Sequence, residues 1–157
     1  MISIWSNFAH SLKEGIMKVD ESTLFKQVQY SYNLVNGKVY FFENFFIMEI
    51  NEGANVTYDN SKDLLELVDK HYGKDQRFGI ISNRIHSYSS NLLDSDKFIS
   101  HHKNAVGKAV VTYSANSSIN FELEGHFCKL KRKEFKNLYE ATIWIEELLL
   151  LDKKTAV

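Results

Sequence analysis

Apolar residues recur along this chain at two different spacings, and the switches between them mark out its elements. In the first sixteen residues Ile2, Trp5, Phe8, Ala9, Leu12 and Ile16 fall near the helical repeat, which predicts a short amphipathic helix. From Gln27 the pattern changes. The run "QVQYSYNLVNGKVYFFENFFIMEI" is rich in β-branched and aromatic residues on both sides of Asn36-Gly37, a dipeptide that tolerates positive φ at a tight turn. It predicts a hairpin with strands at 27–35 and 38–50. Glu43-Asn44 marks a bulge in the second strand, or its end with a new strand from Phe45.

The helical repeat returns in "DNSKDLLELVDKHYG". Asn60 or Ser61 caps this helix, Asp63 suits its positive end, Leu64, Leu65, Val68 and Tyr72 form the buried stripe, and Gly73 closes it. "RFGIIS" then reads as a strand buried on both faces. After its loop, "NLLDSDKFISHH" reads as a short helix with Leu92, Leu93 and Phe98 turned inward. "AVGKAVVTYS", residues 105–114, is another central strand. "ANSSINFELEGHFC" fits both periods: Ile119, Leu123 and Phe127 suit a helix, while Ile119, Phe121, Leu123 and Phe127 suit a strand. "KLKRKEF" is a short basic strand. "NLYEATIWIEELLLL" is a helix capped by Asn137, with Glu140 at its third position and a stripe of Leu138, Ala141, Trp144, Ile145 and Leu148.

These elements predict one α/β domain at 25–152, a mixed β-sheet opened by a hairpin with helices packed against it, behind an N-terminal extension at 1–24. Met17 begins "MKVDEST", an ordinary start, so residues 1–16 read as an extension or as an upstream start site. Leu149, Leu150 and Leu151 spread apolar surface around the last helix beyond its stripe. The N-terminal segment, or a second subunit, is expected to cover it, which makes a homodimer through these two elements an expectation.

Composition narrows the class. Hydrophobic residues make up 44% and charged residues 25% of 157, the balance of an ordinary globular protein. A net charge of −1 argues against general affinity for nucleic acid. The single Cys128 cannot form an internal disulfide and suits a reducing compartment. No stretch approaches the roughly 20 apolar residues of a membrane span. The N-terminus lacks the basic head and continuous apolar centre of a signal peptide, so a cytoplasmic location is expected.

Candidate chemistry concentrates after "FGII", where the chain presents Asn83, Arg84, His86, Ser87, Tyr88 and Ser89. Loops at strand ends commonly bind ligands in α/β folds. Arg84 suits bidentate capture of a carboxylate or phosphate, and Tyr88 offers a ring face and a hydroxyl. The structural alternative pairs Arg84 with a carboxylate of the domain and uses the serines as caps. His101-His102 are adjacent and diverge on a helix, and His86 and His126 have no partner at ligand spacing, so no metal site is expected. No glycine-rich phosphate loop or nucleophile elbow is present, so neither cofactor nor catalysis is expected. The basic run Lys129, Lys131, Arg132, Lys133 and Lys136 could touch nucleic acid or acidic lipid, but its interruption by Leu130 and Phe135 favours an edge strand guarded against pairing.

The chain from about Gln27 to Leu151 resembles the SpoIIAA-like proteins of the STAS superfamily, especially small bacterial members. The opening hairpin, "FGIISNRIHSYS", "AVVTYS" and the closing "FKNLYEATIWI" carry the resemblance. It implies a scaffold without intrinsic chemistry, and it implies a helix at 116–127. In the anti-sigma-factor antagonists of that superfamily the corresponding loop carries a phosphorylatable serine preceded by aspartate. Here it holds Ser87, Ser89 and Ser90 without that aspartate, and Ser87 and Ser89 are the candidate phosphorylation sites. The function expected is a regulatory or protein-interaction module that meets a partner through residues 83–90. The alternative is a carrier or sensor of a small apolar or anionic, lipid-like ligand held between sheet and helices near Arg84 and Tyr88.

Overall fold

The structure, a computed structural model, describes residues 15–155. Its hairpin pairs β1 (Tyr30–Leu34) with β2 (Gly37–Phe41), and Leu34 lies opposite Gly37, so the two loop residues are Val35 and Asn36. Neither has positive φ. Gly37 carries the positive φ instead, 151°, and a Cβ there would also collide with the Glu49 carbonyl oxygen and lie 2.8 Å from the Ile50 Cα. Glu43-Asn44 mark an end rather than a bulge, because the Phe42 N–H donates to the Phe45 carbonyl at 2.8 Å and β3 (Phe45–Ile50) begins there.

Five further strands follow among the described residues: β4 (Asn55–Val56), β5 (Phe78–Arg84), β6 (Ser89–Ser90), β7 (Ala105–Thr112) and β8 (Arg132–Phe135). The main sheet runs β1-β2-β3-β5-β7-β8, antiparallel across β1, β2 and β3 and parallel from β3 onwards. β4 and β6 form a small parallel pair apart from it. The helices are α1 (Lys62–Tyr72), α2 (Ser95–His101), α3 (Ala115–Gly125) and α4 (Leu138–Thr155). The chain is thus a mixed, mostly parallel α/β domain, and residues 115–125 take the helical of their two readings.

Two apolar layers flank the sheet. On one face Leu138, Ala141 and Ile145 of α4 pack with Tyr40, Ile47, Ile81, Ala109 and Val111. The close approach depends on a pair of glycines. Gly79 and Gly107 stand side by side in β5 and β7. A Cβ on the first would run into Ile145, and one on the second would lie 2.7 Å from Leu148 Cδ1. On the other face Val68 and Tyr72 of α1 pack with Phe41, Phe46, Phe78 and Ile80. The Tyr72 hydroxyl lies 2.9 and 2.6 Å from the carbonyl oxygens of Phe42 and Phe45, joining α1 to the turn into β3.

The packed body starts earlier than residue 25. Val19 is fully buried and Leu24 nearly so, both in the α4-side core with Met17 against them. The amphipathic stretch expected at 1–16 lies almost wholly outside the described residues. Leu93, expected inward, is 79% exposed, because a 3-10 turn at Leu92–Asp94 precedes α2 and rotates it outward. β8 is an edge strand, as the basic run suggested. Among the described residues no helix is long and apolar enough to cross a membrane.

Candidate functional site

All seven residues of β5 are buried, so its polar end lies inside the protein. The strand alternation sends Ile81 and Asn83 toward α4, and Ile80, Ser82 and Arg84 toward α1, α2 and α3. Residues 83 and 84 therefore belong to the strand and not to an exposed loop. That corrects the expectation that both would stand at the surface.

Asn83 is used within the fold. Its Nδ2 donates to Glu49 Oε2 at 2.7 Å and to the Met17 carbonyl at 2.8 Å, while the Tyr113 hydroxyl donates to its Oδ1 at 2.7 Å. Glu49 Oε2 also accepts the Val19 N–H at 3.0 Å. Burial pushes the Glu49 carboxyl above its ordinary pKa, with the bonds from Val19 and Asn83 acting the other way. The network fastens residues 17–19 to the sheet.

The loop after β5 is stitched along the 52–56 connection. The Ser87 N–H donates to Glu52 Oε2 at 3.0 Å, the Gly53 N–H to the Ser87 carbonyl at 2.8 Å, and the Ser89 hydroxyl to Asn55 Oδ1 at 3.0 Å. His86, Ser87 and Ser89 are exposed. Tyr88 turns inward instead: its hydroxyl lies 3.0 Å from Ser82 Oγ and its ring 5.4 Å from the Arg84 guanidinium carbon. The six candidate residues thus separate into Asn83 on one face, Arg84 and Tyr88 on the other, and three outside.

Arg84 and Tyr88 border a cavity of about 160 Å³ between the sheet and the helices. Its walls are mostly apolar, with Phe46, Met48 and Ile80 from the sheet, Phe98 and Ile99 from α2, and Leu130 before β8. Toward β7 and β8 the lining becomes cationic. Arg84, Lys108 and Arg132 meet there, and Glu124 is the one carboxylate among them. Its Oε2 is 2.5 Å from Arg84 Nη2 and 3.2 Å from Arg132 Nη2. Arg132 Nη1 donates to the Phe121 carbonyl at 3.0 Å, and the guanidinium lies 4.1 Å from the Phe121 ring centre. Asp63, at the α1 end of the cavity, accepts the N–H groups of Val35 and Leu64.

Three groups along this cavity lack a conventional partner. The ammonium of Lys108, a residue paired in register with Ile80 on β5 and Arg132 on β8, makes no hydrogen bond or ion pair among the described residues. Burial pulls its pKa below the ordinary lysine range, with Glu124 raising it and Arg84 lowering it. Among the described residues Arg84 Nε and His102 Nδ1 are buried without a hydrogen-bond partner, and both residues line the cavity. Burial first, and then His101, pull the His102 pKa down to about 4, so the ring is neutral near pH 7. Among the described residues no three His, Cys, Asp or Glu side chains group for a metal ion.

The sequence reading found Arg84 and Tyr88 but missed Lys108, Glu124 and Arg132. Lys108 had a signal, since "AVGKAVVT" puts an ammonium inside an otherwise apolar central strand. Glu124 and Arg132 had none, because nothing local shows that they fold against residue 84. No family model, no curated protein and no solved structure matches the chain.

Proposed function

We propose that the chain is a non-catalytic, STAS-like binding domain whose sheet–helix cavity carries or senses a small amphipathic anion. A carboxylate on a compact aromatic or short aliphatic body is the ligand that suits it. The observation that carries this reading is the charge at one end of the cavity: three cationic side chains with a single carboxylate, Lys108 unpaired among the described residues. A half-buried ammonium without a partner, set in a strand that is otherwise core, costs stability. Such a group is retained more readily where it serves binding than where it serves folding. The size fits as well. A cavity of about 150 Å³ holds benzene, so one of about 160 Å³ takes a ring or a short chain.

The protein-interaction reading of residues 83–90 is less well supported. Asn83, Arg84 and Tyr88 are turned inward, which leaves His86, Ser87 and Ser89 as the outward side chains. Glu52 lies against the Ser87 N–H and 3.7 Å from His86 Nδ1, so a phosphate on Ser87 would meet a like charge.

The test is calorimetric titration at neutral pH with phenylacetate and with its neutral isostere, phenylacetamide. The acid is expected to bind at least about tenfold more tightly, the scale of one charge-assisted contact. Lys108→Met removes the unpaired ammonium at nearly constant volume. It is expected to weaken phenylacetate at least about tenfold while leaving the melting temperature unchanged or higher. Equal binding of acid and amide, or no binding of either, would overturn the reading.

A further inference from the structure

α3 is loosely embedded in the fold. Its only buried residue is Ser117, while Ile119 and Leu123 on it and Phe127 just past it are exposed at four-residue spacing. Its N-terminus is capped by Ser114, whose Oγ accepts the Ser117 N–H at 3.2 Å. Its C-terminal half is tied to the sheet by polar contacts: the shared Glu124 oxygen on Arg84 and Arg132, and the bond from Arg132 to the Phe121 carbonyl. An element with so little apolar burial belongs to the low-stability end of a fold.

The hold on Arg84 is incomplete in a particular way. A guanidinium grips a planar carboxylate through two parallel N–H groups, and its Nε and Nη2 edge is one such fork. Glu124 occupies Nη2 alone, with one oxygen that it shares with Arg132; Nε has no hydrogen-bond partner among the described residues, and the Tyr88 hydroxyl lies beside the guanidinium. A ligand carboxylate seated on the full fork must take Nη2 from Glu124. Two bonds in good geometry then replace one, and Lys108 supplies charge beside them.

Resting on the anion-binding reading above, we propose that Glu124 is a displaceable internal counter-ion. The ligand carboxylate takes the Nε and Nη2 fork of Arg84 and expels Glu124 from it, so binding loosens the C-terminal half of α3. Glu124 therefore sets affinity by competing with the ligand, and residues 119–127 report occupancy through their exchange with solvent.

Two measurements with phenylacetate test this. Glu124→Gln keeps the shape but loses the competing charge, and it is expected to bind phenylacetate at least about tenfold more tightly than the wild type. In the wild type, saturating phenylacetate is expected to speed hydrogen exchange of residues 119–127 at least about threefold while slowing it in β5 and β7. If both proteins bind phenylacetate but the variant binds no more tightly and α3 is unchanged or better protected, the exchange of counter-ions is overturned and the anion-binding reading stands. Binding by the variant alone supports the proposal in its strongest form. Failure of both to bind overturns the two readings together. Should the variant not fold, wild-type exchange decides alone.

Discussion

At the scale of single residues, the informative positions are those where a side chain contradicts its strand. Lys108 interrupts an apolar run, and Glu49 and Arg84 stand in strands that are otherwise core. Local reading flags such conflicts as sites where stability gives way to something else. It cannot say what they meet, because Glu124 is 40 residues from Arg84 and Val19 is 30 from Glu49. His102 carries a prediction at this scale. Its native pKa of about 4 lies below the ordinary 6.5. Between those values the unfolded chain binds a proton that the native ring refuses, so stability falls as pH drops from 6.5 to 4 and is regained on return. The full loss from this group is about 3 kcal/mol. Urea unfolding from pH 4 to 7 should show a slope that His102→Gln reduces by about that amount over the window. Identical slopes in the two proteins would show that the ring is not held neutral.

Among the elements, those with local punctuation were legible and those without it were not. α1 lies between Ser61 and Gly73 as its stripe and closing glycine foretold. α4 starts where Asn137 Oδ1 accepts the N–H groups of Tyr139 and Glu140, at 2.8 and 3.2 Å. "ANSSINFELEGHFC" stayed open between two periods because α3 buries almost none of its apolar residues, so no stripe forms to set its phase. The hairpin was found on the right dipeptide and for half of the reason: Gly37 does take a positive φ, and it also answers to the approach of β3, whereas Asn36 has no positive φ. The packing of α4 supplies the prediction here. Gly79→Ala places a methyl group against Ile145 in a helix face already seated on Gly107. It should cost about 1–3 kcal/mol, the usual penalty of overpacking. Chemical denaturation would read this as a lower midpoint with an unchanged slope. A neutral substitution would mean that α4 rides further from the sheet than its contacts indicate.

For the molecule as a whole, alternating elements dictated an α/β class and a mixed sheet, but not the strand order or which helices share a face. Those depend on long-range pairing that no window of sequence contains. The cavity is a product of that arrangement. α4 covers one face of the sheet closely across two glycines, whereas α1, α2 and α3 share the other and leave a gap over β3, β5 and β7. Into that gap the strands project apolar side chains from one end and cations from the other, which is a shape and charge suited to an amphipathic anion. The most direct test of that claim is to locate a ligand in it. With methyl-labelled protein and phenylacetate, nuclear Overhauser contacts from the ring protons should reach Met48, Ile80, Ile99 and Leu130. Contacts confined to the exposed Ile119 and Leu123 of α3, or none at all, would contradict the account.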